Sequence, residues 1–357
     1  MRMFIDKYRP ECLGGFKFNS RAVEQLSAIA PNDNVPHLII QGNSGSGKKT
    51  VTNLYLKERE GVSSLGVRTK LIELKCSSGK IEVLLIYSPY HCQINPSAHG
   101  VHDRLIFLNF IKILAQHKSL NRSGYRVIVV ENADNLTMEA QHSLRRILEE
   151  YVGSCRFIFQ VTNECGMIPA LRSRCIKVRL RTPKATELRD ELRVIANAEG
   201  YPHDNVVDRI AESCGSNFKK SLHYLQLCIL SGKREFNLDD MDPTHLYIDR
   251  AVNYIFNGDN LHVLLDIRET VYDLLTHCVD PVLIIRQILK GILSKISDKY
   301  FGDKHNLIKA ANRAEHTLKM GSKPIYHVEG FTVSAFKLIK TLQLSVQNST
   351  RGAKRDR

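Results

Sequence analysis

Apolar residues fall into two patterns along this chain: short unbroken runs and stripes at helical spacing. The runs Leu38-Ile39-Ile40, Arg68–Leu74, Tyr125–Val130, Arg156–Thr162 and Ile176–Leu180 have the length and composition of strands. Before the first of them, Val23, Leu26 and Ile29 (or Ala30) stripe a short helix over residues 21–30, and after it Lys48 to Glu60 forms a helix closed by Gly61. Ala140, Leu144, Ile147, Leu148 and Tyr151 stripe a helix over Thr137–Tyr151, with Thr137 as its N-cap. Residues 103–116 are helical but apolar almost all round, so one face meets the core and the other is expected to be a docking patch. Gly79 breaks the stretch after Leu74. Ser88–Ser97 is a loop by its Pro, Asn and Ser content, with His91 and His99 expected to be exposed on it.

Beyond Leu180 the pattern is helical only. Leu188, Leu192 and Ile195 make one stripe, and Phe218, Leu222, Leu225 and Ile229 another. Helices follow at Leu261–Thr276, Pro281–Ile296, Asn306–Met320 and Ile325 to Val346. Pro183 and the polar stretch Ser231–Pro243 act as punctuation. The predicted organisation is an α/β domain at 1–182, with a parallel sheet and flanking helices. A small helical domain at 183–236 and a larger one at 237–347 come next. A basic tail, 348–357, is expected to be disordered.

Composition adds partners and compartment. The 357 residues suit two or three domains, and 43% of them are hydrophobic, enough for real cores. No apolar run spans a membrane, and Met1–Lys7 lacks an apolar signal region, so neither a membrane partner nor secretion is expected. Nine scattered cysteines without a C-x-x-C pair indicate free thiols rather than disulfides or zinc. The net charge of +14 favours a polyanionic partner, nucleic acid first, over mere solubility.

The candidate chemistry centres on Gly42-Asn43-Ser44-Gly45-Ser46-Gly47-Lys48-Lys49-Thr50, set between a strand and a helix. That is the context of a phosphate-binding loop: glycines let the backbone approach an anion, the helix start offers N–H groups, and Lys48 adds a charge. The next residue should be Ser or Thr to hold Mg²⁺; here it is Lys49, and Thr50 comes about 100° further round the helix. At the end of the Tyr125–Val130 strand, Glu131 stands where an NTPase has a metal-binding Asp. Asn132 stands where it has a base and cannot accept a proton. Asn163, at another strand end, is placed to sense a γ-phosphate. Arg172 and Arg174, between a proline turn and a strand, form a rigid cationic point. Arg145 and Arg146 lie beside the stripe of their helix, either free for phosphates or paired with Glu149 and Glu150. Phe4–Pro10 can pack over a base or cap the core.

These residues resemble the small subunits of replication factor C, the eukaryotic sliding-clamp loader, which are AAA+ ATPases. The likeness covers nearly the whole chain. It rests on Asp6-Lys7-Tyr8-Arg9-Pro10 (the N-terminal box), Gly42–Thr50 (Walker A), Glu131–Asp134 (Walker B), Asn163 (sensor 1), Lys219 (sensor 2) and Ser173-Arg174-Cys175 (the SRC motif). Within the family it is to the subunit 3/5 group, through Gly47-Lys48-Lys49-Thr50, Tyr90–Ser97, Leu274–Cys278 and Gly321–Glu329.

The resemblance implies an AAA+ domain, a lid and a collar (residues 244–357) in a nuclear hetero-pentamer that loads the clamp PCNA onto primer–template DNA. Tyr8, Arg9 and Pro10 would lie near adenine. Arg174 would be an arginine finger for a neighbour's ATP. Arg104, Lys112, Arg145 and Arg146 would contact DNA phosphates, and the Leu105–Ile113 face would dock on the clamp. The expectation is therefore a subunit that binds ATP or ADP with doubtful need of Mg²⁺, hydrolyses it poorly, and serves its neighbour. A self-sufficient AAA+ ATPase and a nucleotide-free DNA-binding scaffold are the rivals.

Overall fold

A computed structural model describes residues 2–355, apart from 33–34, 77–78, 112–113, 115–123, 202, 216, 233–234, 238–241, 259–261, 297–300 and 322. Two compact units result, Met1–Phe236 and Asn237–Arg357.

The first unit is built on a mixed seven-stranded sheet. In chain order the strands are β1 (His37–Gln41), β2 (Arg68–Cys76), β3 (Gly79–Tyr87), β4 (His91–Ile94), β5 (Arg126–Val130), β6 (Cys155–Val161) and β7 (Cys175–Arg179). Their spatial order is β2-β3-β4-β5-β6-β1-β7. From β4 to β7 every pairing is parallel, as expected for strands covered on both faces. The β2–β3 hairpin adds an antiparallel edge.

The unbroken apolar runs arise because alternate residues feed two cores. Ile39, Ile128, Val130, Phe157 and Phe159 face one cluster, which includes Ala140, Leu144, Ile147 and Leu148. Leu38, Ile40, Val127, Val129 and Ile158 face the other, with Leu26, Val51, Leu54 and Tyr55. After α1 (Phe4–Lys7), whose Phe4 N donates to Gln226, the helices flanking the sheet include α2 (Ser20–Ile29), α3 (Lys48–Glu60), α4 (Asp103–Ile106), α5 (Met138–Glu150) and α6 (Pro169–Arg172). Thr137 caps α5, its side chain accepting from Ala140 N. Helices α7 (Ala185–Ala198), α8 (Asp204–Ser213) and α9 (Phe218–Ser231) complete the unit.

Three expectations change. The supposed loop Ser88–Ser97 contains β4, wholly buried between β3 and β5. Its polar letters hid it: Gln93 is bonded to Glu131 and His91 through Nδ1 to Ser88, while His91 Nε2 is buried without a partner. His91 is 1% exposed, not a surface histidine, and its Nδ1 lies 2.7 Å from Ser88 Oγ. Second, the helix expected over 103–116 is one α turn, α4, widening into a π-helix at Phe107–Ile111. Ile106, Phe107 and Ile111 are buried there while Leu108 is exposed. Lys112, Ile113 and the side chain of His99 lie outside the described residues.

Third, the second unit opens with an unexpected helix, α10 (Thr244–Asn257), with Ile248, Val252 and Ile255 on its buried face. α11 (Val263–Thr276), α12 (Pro281–Lys295), α13 (Phe301–Met320) and α14 (Pro324–Arg355) follow. The last carries helical backbone through most of the tail expected to be disordered. An apolar core, including Val271, Ile284, Ile288, Leu307, Val328 and Phe331, holds this unit together.

Candidate nucleotide site

Parallel pairing brings the ends of β1, β5 and β6 to one edge of the sheet, the edge where open α/β sheets bind ligands. From β1 the chain enters Gly42–Thr50. Gly45 (φ 80°) and Gly47 (φ 89°) are in the left-handed region, and Gly47 is the N-cap of α3. A Cβ at Gly45 would fall 2.1 Å from Asn217 Oδ1, and one at Gly47 2.7 Å from the Phe16 ring. Asn217 also caps α9, accepting from Lys220 N. The start of α9 therefore closes down on the loop, a placement that only the fold reveals.

Lys48 Nζ turns back onto the carbonyls of Gly42 (2.5 Å) and Asn43 (3.1 Å). Burial lowers its pKa from the usual lysine range, and the Asp134 carboxylate works the other way. Ser46 Oγ and Asp134 Oδ1 are buried without hydrogen-bond partners. Glycine cradle, helix N-terminus, desolvated ammonium and an orphaned hydroxyl together fit a polyphosphate.

They do not fit a magnesium ion. The two residues in the ligand positions, Lys49 and Glu131, are bonded directly to each other, Nζ to Oε2 at 2.7 Å. Gln93 Nε2, from β4, donates to the other oxygen of Glu131. Thr50 stays one step round the helix, and the next hydroxyl, Thr52, is occupied by Lys48 O (2.8 Å) and Gln160 Nε2 (2.8 Å). Asn132 has φ 47°, a left-handed conformation that Asn adopts more readily than most side chains. That backbone demand is a reason for Asn here which the sequence could not supply.

On β6's exit, Asn163 is held through its backbone. Asp134 Oδ2 accepts from Thr162 N (3.1 Å) and Asn163 N (2.9 Å), and the Asn163 side chain accepts from Cys165 N. Lys219 is exposed on the first turn of α9. At the N-terminus Tyr8 Oη donates to Glu199 (2.5 Å) and Lys7 does so at 2.6 Å, while Arg9 pairs with Asp6 and Pro10 is half-buried. The Lys7 and Tyr8 bonds hold the Glu199 carboxyl below the usual carboxylate range.

Arg174 lies at the surface, away from this edge's own loop. Its guanidinium donates to Ala170 O (2.7 Å), Ser173 Oγ (3.3 Å) and Glu149 on α5 (2.6 Å). Glu149 also takes Arg145, so both arginines, Arg145 first, depress its pKa. Gln141, fully buried and not anticipated, ties α5 to the turn carrying Arg174: it donates to Leu136 O and Gly166 O and accepts from Ile168 N. Arg104 and Arg146 line a shallow cleft with Glu139, His142 and Ser143, and Arg104 pairs with Glu139 at 2.7 Å. Asp103, also missed, anchors this region by accepting from Thr137 N and Oγ1.

Two family models match the chain: the C-terminal domain of replication factor C subunit 3 over residues 245–343, and the delta subunit of DNA polymerase III over residues 18–184. Replication factor C subunit 3 of Bos taurus is 34% identical over 352 residues, covering 95% of this chain and 97% of that protein. The chain belongs to the replication factor C family of clamp-loader subunits. The Homo sapiens subunit 3 is 33% identical with the same coverage, and Schizosaccharomyces pombe subunit 5 is 30% identical over 97% of this chain and 99% of its own. The helical second unit coincides with the family's C-terminal domain.

Proposed function

We propose that this replication factor C subunit binds ATP or ADP as a fixed structural ligand, hydrolyses it negligibly, and supplies Arg174 to a neighbour's nucleotide. It does so within a nuclear hetero-pentamer that loads PCNA onto primer–template DNA. The observation that carries the reading is the intact cradle beside a blocked reaction centre: Gly42–Thr50 keeps its anion-binding shape while Lys49 is bonded to Glu131. A bound nucleotide supplies a polyphosphate for Lys48 and the start of α3 to hold. Asn163 and Lys219 are candidates for its outer phosphates, and Tyr8–Pro10 for its base. With Asn132 in the base position, no side chain there draws a proton from water. Arg174, parked on Glu149, is free to exchange that exposed, solvent-screened ion pair for a neighbour's phosphate at little cost. Arg104, Arg145 and Arg146, with Lys112, are the proposed phosphate contacts for DNA. The 237–357 unit is the proposed collar and 183–236 the proposed lid.

Nucleotide analysis of the purified full chain tests this directly. Bound ATP or ADP near one per chain, lost in Lys48→Ala, is expected; a chain that never holds nucleotide belongs to the scaffold alternative. For Arg174→Ala, the assembled complex should lose at least about tenfold in ATPase, since a finger is worth about 10³–10⁵ at the site it serves. Full activity would exclude the trans role.

A further inference from the structure

In a P-loop NTPase the cation is held by the Ser or Thr after the loop lysine and by a Walker B carboxylate. Here the first position is a lysine and the second a glutamate, and the two meet at 2.7 Å. Glu131 is nearly enclosed, with its side chain 10% exposed, while that of Lys49 is 62% exposed. The carboxylate is fixed from behind: Gln93 bonds its other oxygen, and Glu131 N is tied to Ile94 O at 2.9 Å. Lys49 Nζ therefore stands at a defined point beside the phosphate loop. An ammonium has three donors and no lone pair, so it cannot ligate a metal, and its charge opposes a second cation. One donor faces Glu131, which leaves two for another acceptor.

We propose that Lys49 is a built-in substitute for the divalent cation. The site takes a nucleoside polyphosphate without metal, Lys48 and Lys49 together carrying the charge that Lys48 and Mg²⁺ carry elsewhere. This rests on Gly42–Thr50 being a nucleotide cradle. It goes beyond that reading by making affinity independent of divalent ions. The extra length of glutamate follows from it. Glu131 sits two strands from β1, and a glutamate paired with a long lysine spans the gap that a metal bridges between a short hydroxyl and an aspartate.

Equilibrium dialysis of the full chain, stripped of nucleotide, against radiolabelled ATP and separately ADP gives the test, in excess EDTA and in millimolar Mg²⁺. The native chain should bind equally in the two buffers, within about twofold. Lys49→Thr should lose about tenfold to a hundredfold in EDTA, the worth of a charge-assisted hydrogen bond, and recover in Mg²⁺. Lys49→Met should lose as much and not recover. Either variant leaves the nearly enclosed Glu131 carboxylate with Gln93 alone, so a modest fall in melting temperature is expected, and recovery of Lys49→Thr in Mg²⁺ separates lost charge from lost fold. A native chain that binds more than about tenfold tighter with Mg²⁺ overturns the substitution and leaves the cradle standing. Binding in neither buffer overturns both.

Discussion

The two units bury different chemistry. In Met1–Phe236 the described interior holds His37, His91, Gln93, Asp103, Glu131, Gln141, Arg156 and Gln160 among its apolar side chains. In Asn237–Arg357 the buried polar residues among those described are Thr270 and Thr332, each bonded to its own helix three residues back. Buried polar groups are costly unless satisfied, and when satisfied they fix a single geometry. The first unit accepts that cost where positioning matters: Gln93 and Lys49 on Glu131, Gln141 on the Arg174 turn, Asp103 on the start of α5. The second unit packs apolar helices, as the proposed collar would.

Acid should separate the units most sharply. Burial pushes the His37 and His91 imidazoles down to about 4, with Arg156 adding to the effect at His37. The unfolded chain, titrating near 6.5, binds more protons between those values. Stability is therefore intact above pH 6.5 and falls as pH drops toward 4, by up to about 3 kcal/mol per histidine. Hydrogen exchange on the full chain should show protection lost from Met1–Phe236 in that window and retained in Asn237–Arg357. Equal loss in both would erase the distinction.

Next in size is Ile288→Ala, in the apolar core of the second unit, expected to cost about 2–5 kcal/mol by denaturant melting. It should leave nucleotide affinity unchanged; a weakened affinity would mean that the second unit tunes the site. Gln141→Ala leaves Gly166 O and Ile168 N without their partner and should cost about 1–3 kcal/mol. Its sharper readout is complex ATPase, which should fall as the turn holding Arg174 loosens. Smallest in stability is Arg145→Ala with Arg146→Ala, within about 0.5 kcal/mol because both side chains are exposed. DNA affinity should nonetheless drop uniformly across sequences, with the salt slope reduced by up to about 2. An unchanged slope returns both residues to the solvated face that the Arg145–Glu149 pair already suggests.

What the sequence made legible follows from how local each signal is. Strand, glycine loop and helix are contiguous, so the cradle and the Lys48–Glu60 helix appear at their observed positions. The five strands with apolar runs and the Thr137 cap were legible for the same reason. β4 was not, because its four residues include two polar ones whose partners lie outside the strand, Ser88 Oγ and Glu131. α10 was masked by the polar stretch before it. At the site, Lys49 and Glu131 each looked like a separate departure from a hydrolytic pattern. That they bond to each other depends on strand order, which no spacing encodes. Asn217 against Gly45 is hidden in the same way.

Phosphate release from γ-labelled ATP by the purified full chain, alone and with Mg²⁺ present, goes straight to the centre of the account. Nucleotide should bind and remain uncleaved, with release no higher than that of Lys48→Ala. Turnover clearly above that control would mean that the pairing of Lys49 with Glu131 and the presence of Asn132 do not silence the site.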